Sequence, residues 1–251
     1  EALAAVNAWV NSKTQGLIPT LREENYTEDT LLVLLDTVYF KAKWATSFLA
    51  ENTAAREFKR ADGSKVEADF LVDRFCRRAY IKTQHTEGLL LPYDDGRTAF
   101  LALRPINGIS IDEYAAGLTA EKLATYPALA KDTLLNLSLP KFNLTYTLSL
   151  NSPLRHLGLT DAFDAENADF SQMGSGINGN LYLSEVFQKV RLIVDEQGTE
   201  AAAVTEGRVC GSAAPVGEPV ELHFDSPFLY AVVDLDSGLP LFIGIMDDPA
   251  R

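Results

Sequence analysis

Cysteine and histidine are scarce in this chain. Only Cys76 and Cys210 stand among its 251 residues. They are too few for a disulfide framework, lack zinc-site spacing, and allow at most one bridge. The three histidines, His85, His156 and His223, are scattered without metal-ligand spacing, so no metal is expected. Long apolar runs are missing too: none approaches the roughly 20 residues of a membrane-crossing helix. Positive charge is outweighed. A net charge of -13 argues against nucleic acid and against anionic membrane surfaces as partners. The sequence has no phosphate-cradling glycine loop, no dinucleotide fingerprint, no His-Glu-x-x-His and no Gly-x-Ser-x-Gly. An enzyme is therefore not expected, and neither catalytic residues nor a cofactor are assigned.

What is present is a core-forming chain, 47% hydrophobic, without repeats or a Gly/Ser/Pro-rich linker. Ala5, Val6, Trp9 and Val10 fall at helical spacing, and Thr14-Gln15-Gly16 reads as a helix stop. Because the chain opens inside that pattern, an N-terminal part is expected to be missing. Leu31–Phe40 is an apolar run of strand length and predicts a central strand buried on both faces. Residues 58–70 predict a hairpin turning at Ala61-Asp62-Gly63. Tyr80–Pro92 and Thr98–Pro105 read as two strands, and Ile111–Ala130 as mostly helical. Leu134–Leu148 predicts one long strand, Ser152–Gly158 a short helix, and Leu181–Asp195 another long strand. Residues 221–224, 228–234 and 241–246 complete a β-rich C-terminus. Helices and strands mix without βαβ alternation, so the fold class is α+β.

The most informative stretch is Glu196-Gln197-Gly198-Thr199-Glu200-Ala201-Ala202-Ala203-Val204-Thr205. Its small residues have little to bury. They suit a segment that must slide between two strands already packed together. In a strand, alternate residues face opposite sides. Thr199, Ala201, Ala203, Thr205, Gly207, Val209 and Gly211 then share one small, uncharged face. Glu200, Glu206 and Arg208 fall on the other. A strand with one side toward a core and one toward water needs that division.

This stretch resembles the reactive-loop hinge of the serpins, with Glu196 and Gly198, then Thr199, Glu200, Ala201, Ala202 and Ala203. Other motifs follow in the same family order. Val6–Gly16 is similar to the end of the family's helix F and the turn after it. Tyr39-Phe40-Lys41-Ala42-Lys43-Trp44 is similar to the third strand of sheet A and its upper tryptophan. Leu139-Pro140-Lys141-Phe142, Leu157-Gly158-Leu159, Ala168-Asp169-Phe170-Ser171, Phe224-Asp225-Ser226-Pro227-Phe228 and Leu241-Phe242-Ile243-Gly244 continue the match. The chain is identified as a member of that family. The resemblance implies a serpin fold, with a large mixed A sheet, B and C sheets and surrounding helices, truncated at the N-terminus. Residues 1–251 are expected to be the C-terminal portion of a single serpin domain, its reactive loop at about 196–220.

The implied activity is suicide-substrate inhibition of serine endopeptidases. The cut loop enters sheet A and traps the acyl-enzyme. About fourteen inserted residues at about 3.3 Å each span roughly 46 Å, a domain length. On the order of fourteen new hydrogen bonds at about 1 kcal/mol each rival the stability of a whole domain. The uncut fold is then a kinetic trap. Counting forward from the hinge by the usual loop length places the cut at Ser212-Ala213. Counting backward from Phe224 gives Val216-Gly217. The window Ser212, Ala213, Ala214 is adopted, and its small residues suit an elastase- or subtilisin-like target. The alternatives are a non-inhibitory carrier or chaperone and a cross-class inhibitor of cysteine proteases. The family likeness further implies a secreted, extracellular monomer. It also implies a sheet-opening cluster of Asp36, Gln188, Trp44 and Lys141. Asp36 and Gln188 stand where the family commonly has Asn and His, and a buried Asp36 would make opening depend on pH. Lys141 and Glu196 match a salt bridge at the loop's point of entry. Asn25, Asn136 and Asn143 each begin an Asn-x-Ser/Thr glycosylation pattern.

Overall fold

The structure, a computed structural model, describes residues 2–21, 32–174, 180–199 and 217–250. In chain order the elements are α1 (Ala2–Lys13), β1 (Val33–Tyr39), β2 (Ala42–Lys43), β3 (Ala54–Lys59), β4 (Lys65–Lys82), β5 (Thr86–Pro92) and β6 (Thr98–Pro105). These are followed by α2 (Ile111–Ala116), α3 (Ala120–Leu129), β7 (Lys131–Pro140), β8 (Phe142–Ser149), α4 (Asn151–His156), β9 (Glu185–Val194) and β10 (Gly198–Thr199). Strands β11 (Val220–His223), β12 (Phe228–Asp234) and β13 (Pro240–Met246) end the described chain. They form an eight-stranded sheet, a three-stranded sheet and a two-stranded one. The chain divides into two compact units, residues 1–40 with 144–192, and residues 41–143 with 193–251.

In the first unit, α1 ends where the sequence predicts. Gln15 and Gly16 take positive φ (52° and 86°), and the Gly16 amide donates to the Asn11 carbonyl at 2.8 Å, a left-handed helix cap. The buried Thr14 hydroxyl donates to the Val10 carbonyl and accepts from the Ile18 amide, so the chain leaves the helix with its polar groups paired. Val10, Ile18 and Leu21 pack there with Val6 and Leu35. Strands β1 and β9 run parallel, Val33 opposite Glu185 through Tyr39 opposite Arg191, with β8 beyond β9. The expectation that Leu31–Phe40 is buried on both faces is not met. Strand β1 is an edge of this sheet, and Leu34 is 54% exposed. An apolar run records what a strand can bury, not what covers it.

The second unit holds the strands that do fit that description. Every residue from Thr98 to Leu103 of β6 and from Thr86 to Leu91 of β5 is buried. Gly88 permits this packing, because a Cβ there would lie 2.7 Å from Leu103 Cδ2 and 2.9 Å from the Ala102 carbonyl oxygen. Helices α2 and α3 cover the sheet with Ile111, Tyr114, Leu123 and Tyr126. The β3–β4 hairpin turns where expected, with Asp62 accepting from the Ser64 amide at 2.8 Å.

Two readings need correction, those of Tyr80–Pro92 and Leu134–Leu148, while Ile111–Ala130 is mostly helical as expected. Tyr80–Pro92 is not one strand: β4 ends at Lys82 and β5 starts at Thr86, joined by a turn in which the Thr83 amide donates to the Thr86 carbonyl. Ile111–Ala130 is two helices, because Gly117 ends the first and Thr119 caps the second by accepting from the Lys122 amide. Leu134–Leu148 is β7 and β8, and these lie in different sheets. Their junction falls at Pro140-Lys141, where the Lys141 amide donates to the Asp69 carbonyl.

Candidate functional site at the hinge

Strand β9 ends at Val194, and the chain reverses within the next four residues. Asp195 makes the reversal. Its amide donates to the Gly198 carbonyl at 3.0 Å, and its Oδ1 accepts from the Gln197 and Gly198 amides at 2.8 and 3.1 Å. An Asp whose side chain bonds backbone two and three residues on is suited to such a turn. Burial outweighs those bonds and pushes the Asp195 carboxyl above its ordinary pKa.

After the turn, Gly198 and Thr199 lie antiparallel to Lys43 and Ala42. Gly198 is required by proximity: a Cβ there would stand 2.2 Å from the Ala42 carbonyl oxygen and 2.7 Å from Lys43 Cα. The Trp44 amide donates to the Gln197 carbonyl and the Phe48 amide to the Glu196 carbonyl, both at 2.9 Å. Trp44 Nε1 donates to the Asp195 carbonyl at 2.8 Å. The Trp44 ring stacks on Tyr93, centroids 4.7 Å apart and planes within 14°. Thr199 is completely buried, and its hydroxyl shares a 2.6 Å hydrogen bond with the buried Tyr93 hydroxyl.

Glu196 is anchored from two directions. Its Oε1 accepts from Lys141 Nζ at 2.8 Å and from the Thr53 hydroxyl at 2.6 Å. Burial alone would raise its pKa, but the bonds from Lys141 and Thr53 outweigh it and hold the carboxyl below the ordinary value. The Lys141–Glu196 pair noted in the sequence is formed.

Asp36 and Gln188 also meet. They are opposite in register, and Gln188 Nε2 donates to Asp36 Oδ2 at 2.8 Å. Asp36 is exposed rather than buried, which removes the desolvation on which a pH-dependent opening depended. The four residues expected as one cluster divide between the two units: Asp36 and Gln188 in the first, Trp44 and Lys141 in the second. Glu200, Ala201, Ala202, Ala203, the scissile candidates Ser212, Ala213 and Ala214, and Asn25 lie outside the described residues.

Known proteins point the same way. The sequence profile of the family described as serpin (serine protease inhibitor) matches residues 1–249. The chain belongs to the serpin family. It is similar to serpin B10 of Bos taurus, 34% identical over 248 residues, covering 97% of this chain and 62% of that protein. Similarity to antithrombin-III of Homo sapiens is 29% over 250 residues, covering 99% and 54%. The solved structure of tengpin, a thermophilic serpin, in its native state matches with a TM-score of 0.89 at 34% identity, over 98% of this chain and 63% of that one. Tengpin in its latent state matches at 0.76. The chain thus spans about three fifths of the length of the serpin B10 it matches. The α+β serpin fold is the fold observed, with the long β4 joining strands expected in separate B and C sheets into one hydrogen-bonded sheet.

Sequence reasoning missed Tyr93, Thr53 and Asp195 as hinge contacts. Tyr93 follows Pro92 at a strand end and lies 106 residues from Thr199. No local pattern joins them.

Proposed function

We propose that the intact protein inhibits serine endopeptidases by offering its reactive loop as a substrate and trapping the acyl-enzyme. The cut loop inserts as a new strand between β1 and β9, and the protease is displaced before water completes the reaction. The observation that carries this reading is the seated hinge. Gly198 and Thr199 already pair as the first residues of an antiparallel strand, and the small, uncharged face of the sequence continues from Thr199. A large residue on that face would stall insertion, and none occurs among Thr199, Ala201 and Ala203. The better match to tengpin in its native state than in its latent state supports a starting conformation with the loop not yet inserted. Asp36 and Gln188, whose side chains bridge β1 and β9, are the pair that must part. The Lys141–Glu196 pair holds the hinge at its root.

The small residues of the Ser212–Ala214 window favour an elastase- or subtilisin-like target. We place the protein outside the cell, where Asn143, which is exposed, is open to glycosylation. The test mixes full-length protein with elastase, subtilisin, trypsin and a papain-like protease. An SDS-resistant complex with a serine protease is expected. Clean loop cleavage without a complex would instead indicate a carrier or chaperone, and a complex with the papain-like enzyme alone a cross-class inhibitor.

A further inference from the structure

Tyr93 has no part in the family motifs quoted above, yet it touches a hinge residue, Thr199, that is wholly enclosed. Its hydroxyl and that of Thr199 are 2.6 Å apart, with Thr199 at 0% and Tyr93 at 1% exposure. The Tyr93 ring is fixed by its stack on Trp44, by the Tyr93–Trp44 bridge and by the Tyr93 amide donating to the Thr98 carbonyl at 3.0 Å. Trp44 in turn donates from its amide to Gln197 and from its indole to Asp195. A buried threonine hydroxyl without a partner is costly, so a rigid hydroxyl at this spot decides whether Thr199 stays down.

We propose that Tyr93 is a positioning residue that docks Thr199 as the first residue of the inserting strand. It thereby sets the fraction of encounters that end in trapping rather than in simple cleavage. This rests on the trapping mechanism proposed above. With Thr199 seated, the register of the incoming strand against Ala42 and Lys43 is fixed before the loop is cut. Insertion then only extends a pairing already begun. With Thr199 unseated, the strand must first be nucleated, and the slower start gives water time to release the protease. The pairing differs from the Lys141–Glu196 contact, which holds the chain within the turn.

The experiment compares full-length wild type, Tyr93→Phe, Thr199→Val and the double variant. Phenylalanine keeps the ring that stacks on Trp44, and valine keeps the shape of threonine. The first readout is hydrogen exchange of the Trp44 amide in the uncut protein, because that amide bonds Gln197 only while the hinge is seated. Tyr93→Phe should speed this exchange about fivefold, the effect of one ordinary hydrogen bond. The second readout is the number of inhibitor molecules consumed per protease trapped, which should rise several-fold in Tyr93→Phe. In the double variant no hydroxyl is left unpaired, so both readouts should return toward wild type. A merely structural tyrosine would give additive losses instead. Unchanged exchange in Tyr93→Phe, or a double variant as impaired as the two singles summed, overturns the docking role. Lost protection with unchanged trapping overturns its link to partition. If wild type traps no protease, the proposed function fails, while the exchange data still decide whether Tyr93 seats Thr199.

Discussion

The eight-stranded sheet and the three-stranded sheet are built from the same kinds of residue and bury them very differently. In the larger sheet, β5 and β6 are enclosed on both faces. Its polar groups are closed into networks. Arg78 pairs with Asp73 at 2.6 Å, donates to the Thr46 and Ser47 carbonyls, and lies over the Phe48 ring. Thr86, Tyr114 and Tyr126 join three hydroxyls under the helices. In the smaller sheet, β1 and β9 meet as a parallel pair, the slightly weaker arrangement per residue. A side-chain link between them, Asp36 to Gln188, is exposed. One sheet is a platform; the other is the sheet that the proposed insertion would open. The hinge belongs to the platform's unit, so the loop is held firmly where it begins.

The contrast breaks first at Arg78. Arg78→Ala leaves Asp73 buried without its partner and should cost about 3–5 kcal/mol in denaturant unfolding of the full-length protein. A loss under about 1 kcal/mol would mean the platform is less closed than its contacts state. Gly198→Val comes next. Its side chain meets the Ala42 carbonyl, so the seat should be lost at about 1–3 kcal/mol, and the protein should become a plain substrate of its target. Retained trapping would contradict the seated hinge.

Lys141→Ala should cost about 1 kcal/mol, measured by thermal unfolding, because the pair with Glu196 is only partly shielded. Its pH dependence has a definite sign. The Glu196 carboxyl is held below its ordinary value, so its contribution is full above about pH 4.5 and disappears as pH falls through the lowered value. Lys141→Ala should flatten that part of the acid limb. Glu87, held down to about 2 by Lys82, Arg104 and Tyr80 against the cost of burial, should leave its own acid limb unchanged. The smallest effect belongs to Asp36→Asn, which keeps an acceptor for Gln188 in an exposed position. Stability should move by less than about 0.5 kcal/mol, measured by denaturant unfolding.

The sequence singles out Glu196 to Thr199, which form a turn and a short strand, while the alternating small residues after Thr199 lie outside the described residues. Most strands are legible in the sequence too, from their apolar or alternating runs. It does not carry the break at Lys141, since one polar residue leaves the alternation of Leu134–Leu148 intact, and only pairing to different sheets separates β7 from β8. The burial of β1 is not legible in the sequence, because Leu34 and its neighbours fit a core whether or not anything lies over them. Tyr93 was invisible because its role is a contact across 106 residues.

The central claim is that the uncut protein is a trap from which loop insertion is downhill. Its most direct test is calorimetry of the full-length protein before and after a single cut between Ser212 and Ala214. The account predicts that the melting temperature rises on cutting, by on the order of 20 °C for a gain of roughly 10 kcal/mol. An unchanged or lowered melting temperature would contradict it.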